Sequence, residues 1–154
     1  VQVFTQNQFW DHHGSILKSL PNACKKVDQP SAALVTDLKR RGLLDETVVH
    51  WGGEMGRLPV IQNDTGEASI GRDHNTYGFS QWVAGGGFKA GYVHGKTDEF
   101  SHKAVEDIVN HYDYHHTLFH LFGLRPEELY FEHNGQKRKL IQTDQSKVIT
   151  KLLA

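Results

Sequence analysis

Three short stretches place carboxylates and imidazoles close together in the chain. The first is Trp10-Asp11-His12-His13. A carboxylate and an imidazole two residues apart in a turn can share one metal ion, and zinc accepts both ligand types. An Asx-turn with exposed histidines fits the same spacing. The second is Gly52-Gly53-Glu54-Met55-Gly56-Arg57. Three glycines let the backbone approach a ligand closely. Glu54, just past the end of a buried strand, would need a metal or Arg57 as its partner. Arg57 also suits an oxyanion such as sulfate or phosphate. A glycine-rich turn with a surface ion pair is the plainer alternative. The third is Gly71-Arg72-Asp73-His74-Asn75, again an adjacent Asp and His beside an Arg.

A fourth group is His111, His115, His116 and His120. Two i, i+4 pairs could chelate a metal from one helix face. The zincin pattern requires Glu after the first His, and here Tyr112 and Thr117 stand in that place. Phe119, Leu118 and Leu121 make it a packing helix, with Asp113 and Thr117 anchoring its start. A His-rich metal-binding module stays open as an alternative. The single cysteine, Cys24, cannot close an internal disulfide and reads as a packed thiol in a helix. Gly85-Gly86-Gly87 lacks the Lys-Ser/Thr of a phosphate loop and reads as a strand-to-loop turn.

These residues must be positioned by α/β elements. Val1–Thr5 alternates like a half-buried strand. A helical segment follows over about residues 15–41, with Leu34, Val35 and Leu38 on one face and Lys39-Arg40-Arg41 suited to its negative end. Pro30 kinks it or starts its second half, and Gly42 stops it. Thr47–Trp51 has the β-branched composition of a buried central strand. A polar loop then runs to Arg72. Phe79–Ala84 is the next strand. A second helix spans about 112–122, capped by Gly123. Asn134-Gly135 marks a hairpin between Tyr130–His133 and Lys137–Ile141. A short helix over Ser146–Leu153 closes the chain, with Ser146 as its N-cap. Long loops after strand ends are where α/β proteins carry their sites.

The 154 residues fit one domain, 1–154, and 17 Lys+Arg against 18 Asp+Glu give no basic footprint for nucleic acid. No stretch approaches the roughly 20 apolar residues of a membrane span. Eleven histidines enrich the commonest metal ligand. An opening directly in a strand implies a fragment of a longer domain.

In order, WDHHG, DQPSAALVTDLKRRGLLDETVV, WGGEMGR, GRDHN, WVAGGGFKAG, GKTDEF and DYHHTLFHLFGL resemble an uncharacterised sulfatase-like family of the alkaline phosphatase superfamily, known by a domain-of-unknown-function label. The likeness runs from Val1 to Ala154. Leu58 stands where that family usually has Thr, and Tyr112 where it has His. The resemblance implies a sulfatase-like α/β sheet flanked by helices, of which this is the C-terminal part. It implies hydrolysis of small sulfate or phosphate esters at a divalent metal: Zn, Ca or Mg. Asp11, His13, Glu54, Asp73 and His74 would be the ligands, with Arg57 and Arg72 on the substrate oxyanion. No Cys-x-Pro-x-Arg signature is present, so the nucleophile would come from the missing N-terminal half. The isolated chain is then expected to be inactive, and the periplasm or exterior is the implied location. A non-catalytic binding or scaffold relative is the competing expectation.

Overall fold

The computed structural model describes residues 1–6, 8–62, 66–141 and 145–154. Among these residues the chain mixes two α-helices with short antiparallel ribbons. Helix α1 spans Ile16–Arg40 and passes through both Pro21 and Pro30 without ending. Ile16, Ser19, Ala23, Val27, Ser31, Val35 and Leu38 are withdrawn from solvent, spaced three or four residues apart as one stripe. Leu34 falls off that stripe and is exposed. At its end, Gly42 takes φ 69°. Leu43 N–H donates to Leu38 O at 2.9 Å and Gly42 N–H to Lys39 O at 3.1 Å, closing a Schellman-type turn.

Strand β1 (Val49–Trp51) pairs with β4 (Trp82–Ala84), and β2 (Gly56–Arg57) pairs with β3 (His74–Asn75). Strand β5 (Lys96–Thr97) pairs with β6 (Ala104–Glu106), and β7 (Tyr130–His133) with β8 (Gln136–Lys139). All four pairings are antiparallel, each a separate two-stranded sheet among the described residues. Val49–Trp51 is therefore not a buried central strand: only Val49 is half-buried, and Trp51 is exposed. The Gly85-Gly86-Gly87 turn after β4 has φ of 72°, 56° and 90°. A Cβ on Gly85 would lie 2.2 Å from Leu44 O, so glycine is required there by both space and conformation.

Helix α2 (His111–Leu121) is capped by Asn110, whose side chain accepts from Asp113 N–H at 2.9 Å. Asp113 and Thr117 do anchor it. Thr117 is fully buried, donates to Asp113 O at 2.8 Å and accepts from Ile149 N–H at 3.0 Å. Asp113 Oδ1 accepts from Lys147 N–H at 2.9 Å. These bonds hold the C-terminal segment extended against α2. The expected helix over Ser146–Leu153 shrinks to one 3-10 turn, Thr150–Leu152, because buried side-chain groups of α2 take its backbone donors. Asn134 and Gly135 both have positive φ, 50° and 69°, as the β7–β8 hairpin turn requires.

Val1–Thr5 is not a strand. It has no ladder partner, and Val3 and Phe4 are 91% and 80% exposed. Cys24 is exposed rather than packed. The expected polar loop to Arg72 includes residues 63–65, which lie outside the described residues. No helix among the described residues is long and apolar enough to cross a membrane. Among the described residues the buried apolar core is small: Ala23, Phe88, Ile141 and Ile149. The chain exposes 11615 Å². A self-contained fold of this 17.5 kDa mass exposes about 7,900 Å².

Candidate metal centre

Asp11 lies in a tight turn held by its own N–H on Gln8 O (3.1 Å) and by His13 N–H on Asp11 O (3.1 Å). This loop docks on the one before β3. Arg72 N–H donates to His12 O at 3.0 Å. Gly71 is buried so close to His13 that a Cβ would lie 2.0 Å from the His13 carbonyl carbon. The absence of a side chain at 71 thus lets the WDHH and GRDHN loops touch.

The β2–β3 ribbon brings in the other groups. Arg57 and His74 are register partners, which places their side chains on the same face. Both reach Asp11. His74 Nε2 lies 2.9 Å from Asp11 Oδ1, and Arg57 Nη2 donates a short hydrogen bond to the same oxygen. His13 Nε2 is 3.0 Å from that oxygen too. The His13 and His74 rings lie 4.9 Å apart, tilted by 48°. Hydrogen bonds from His74 and then Arg57 hold the Asp11 carboxyl down at about 2, against a smaller opposing effect of desolvation.

Asp11, His13 and His74 each offer one ligand atom, all within 4.8 Å of one another. One carboxylate and two imidazoles form a donor set suited to zinc or another first-row divalent ion. A tetrahedral ion with bonds near 2.0–2.2 Å holds its donors roughly 3.3–3.5 Å apart, so the two imidazole nitrogens, 2.9 and 3.0 Å from Asp11 Oδ1, need to part from that oxygen by only a few tenths of an ångström. The residues present fit such an ion.

The remaining candidates are placed differently. Asp73 is exposed; its Oδ1 accepts from His74 N–H at 2.8 Å and stands 3.9 Å from His13 Nδ1, beside the trio. Glu54 is exposed and outside the group, since the strand before it is not buried. Arg57 also donates to Trp10 O at 3.2 Å and to Arg72 O at 3.1 Å. Arg72 donates to Leu58 O at 3.1 Å. Both guanidiniums therefore tie the loops together. His12 is half-buried, and burial followed by the Arg57 charge lowers its pKa. The α2 histidines form no such ligand group among the described residues. His115 Nδ1 lies 2.7 Å from His111 O, and His116 Nδ1 3.0 Å from Ser146 Oγ. Gln62, which no motif signals, places Oε1 2.7 Å from His13 Nδ1.

The model of the family described as "Protein of unknown function (DUF1501)" matches residues 1–153. The chain belongs to the DUF1501 family. No curated protein and no solved structure gives a significant match. The match spans the three site loops, both helices and the β7–β8 hairpin, so Asp11, His13 and His74 lie inside the residues that the DUF1501 model covers.

Proposed function

We propose that this DUF1501 chain contributes the divalent-metal ligands of a sulfatase-like hydrolase acting on small sulfate or phosphate esters. The convergence of His13 Nε2 and His74 Nε2 on one oxygen of Asp11, at 3.0 and 2.9 Å, carries the reading. A bound ion would polarise the ester and neutralise charge developing on its oxygen. Asp11, His13 and His74 would hold it and leave a coordination position open, as catalytic zinc sites do. Arg57 steadies Asp11, and Arg57 and Arg72 are the arginines assigned to the substrate oxyanion.

The nucleophile is assigned to polypeptide beyond these residues. The exposed surface supports this. The chain's 11615 Å² exceeds that of a self-contained fold of its mass by roughly 3,700 Å², surface that further polypeptide would cover. In this reading the short ribbons become parts of a larger flanked sheet when that polypeptide packs on them. The test is divalent-metal binding by calorimetry and elemental analysis. Zinc should bind tightly, and Asp11→Ala, His13→Ala or His74→Ala should weaken it. Protein free of metal after purification and unable to take up zinc would sink the proposal.

A second reading is a non-catalytic relative that keeps the ligands as a binding module. Arg57 favours it, because the guanidinium that would clamp an oxyanion already contacts Asp11 and two loop carbonyls. Turnover of an aryl sulfate or phosphate by the protein together with its upstream polypeptide separates the two.

A further inference from the structure

Strand β3 is only His74–Asn75, and its ladder with β2 has two pairs, Gly56↔Asn75 and Arg57↔His74. Successive side chains in a strand point to opposite faces, so a slip of one residue would turn His74 away from Asp11. Two pairs resist that slip weakly. What decides which side chain turns inward must come from outside the ladder.

The side chain of Asn75 supplies it. His74 is exposed, whereas Asn75 is only 1% exposed. Asn75 Nδ2 donates to His102 O at 2.8 Å and to Gly78 O at 3.1 Å, and Oδ1 accepts from Tyr77 N–H at 3.0 Å. Both amide protons are thereby used. The partners are themselves held: Ala104 N–H donates to Tyr77 O at 2.9 Å, and His102 N–H to Asp98 Oδ1 at 2.8 Å. Space on this face is equally restricted. The register partner of Asn75 is Gly56, where a Cβ would lie 2.7 Å from Phe79 Cβ. A neutral imidazole has one N–H to give, so His74 turned to this face would leave one of the two carbonyls unmet. An amide fits the inner face and an imidazole does not.

We propose that Asn75 is the positioning residue that sets the facing of β3 and so directs His74 to Asp11. It lies outside the proposed ligand set and acts from the opposite face of the ribbon. The expected effect on zinc rests on the reading of Asp11, His13 and His74 as metal ligands; the expected effect on the direction of His74 does not.

The test compares Asn75→Ala and Asn75→Ser with the parent. The His13 and His74 rings lie 4.9 Å apart, so a nuclear Overhauser effect between their ring protons, recorded on metal-free protein, reports where His74 points. Calorimetry with zinc is the second readout. Asn75→Ala removes all three bonds. It should lose the ring-to-ring signal and bind zinc about 10- to 100-fold more weakly, the loss usual for groups that orient ligands. Serine keeps an oxygen that can accept from Tyr77 N–H, as Ser does in turns, but cannot serve both carbonyls, so Asn75→Ser should retain part of each readout. Thr117→Val, which removes a buried bond in α2, is the control for general loosening: its urea midpoint should fall with the ring signal intact. A parental ring signal in Asn75→Ala, or parental zinc affinity where the parent binds zinc, overturns the proposal. So does loss of the native circular dichroism in both Asn75 variants, because Asn75 would then sustain the fold as a whole. An Asn75-dependent ring signal in a protein that does not bind zinc upholds the positioning role and defeats the metal reading instead.

Discussion

Arg57 and His74 face each other across the β2–β3 ribbon and bond the same oxygen of Asp11. One is a fixed cation and the other an imidazole that a metal can claim. The ribbon is only two residues wide on each strand, yet it sets the geometry of the centre. Arg57 also ties Trp10 O and Arg72 O, so one side chain joins three loops. Replacing it by Met, similar in reach but without charge, should free the Asp11 loop from β3. Zinc affinity should fall, and the urea midpoint should drop with an unchanged m-value. Arg57→Lys should recover only part of the loss, because a single ammonium cannot bond three separated acceptors. Full recovery in the Lys variant would show that charge alone matters.

Gly71→Ala tests the loop contact directly. The added Cβ would lie 2.0 Å from the His13 carbonyl carbon and 2.1 Å from its oxygen, both backbone atoms that cannot rotate aside. Overpacking of this kind costs about 1–3 kcal/mol. The two loops must part, which moves His13 away from His74. Lower stability by urea unfolding should therefore be accompanied by weaker zinc binding. A stable variant that binds zinc normally would show that the loops need not touch.

The sequence made parts of this legible and concealed others, for physical reasons. The end of α1 at Gly42 and the Asn134-Gly135 hairpin depend on local backbone preferences, and both are where those preferences put them. The mixture of helix and strand was equally readable. Val1–Thr5 has the alternation of a strand, but pairing needs a neighbour, and alternation does not say whether one is present. Val49–Trp51 is β-branched enough for a central strand, yet its burial depends on what covers it. At the site, Asp11, His13 and His74 stand together in space, and they come from two short motifs in which ligand types recur. Glu54 was included on an assumed buried strand end and lies outside the group. Gln62 was invisible, since its contact with His13 crosses 49 residues.

Thr117→Val separates folding from the proposed metal centre. Its hydroxyl is fully buried and carries two bonds, to Asp113 O and from Ile149 N–H. Valine has nearly the same shape but leaves the Ile149 N–H without that acceptor. The expected loss is about 1–3 kcal/mol of unfolding free energy. Zinc affinity should be unchanged, because the hydroxyl's partners lie in α2 and the C-terminal segment. Hydrogen exchange at Ile149 should speed up. Equal weakening of zinc binding would mean that α2 and the loops carrying Asp11, His13 and His74 are coupled.

Tyr114 provides a pH test of the α2 packing. Its ring meets His50 edge-on at 5.1 Å, and burial pushes the phenol up to about 12 from an ordinary 10.0. The folded-state value is raised, so folding carries no penalty from this group below pH 10.0. Above that, the unfolded chain releases the proton first, and stability falls as pH rises toward about 12. Of the five tyrosines, this one should therefore titrate late. Carbon-13 shifts of the tyrosine Cζ atoms, recorded with pH, would resolve it, with Tyr114→Phe giving the assignment. The Phe variant should also reduce the alkaline loss of stability. A Tyr114 midpoint at the ordinary value would mean that the phenol is solvated and that Tyr114 does not lie against His50.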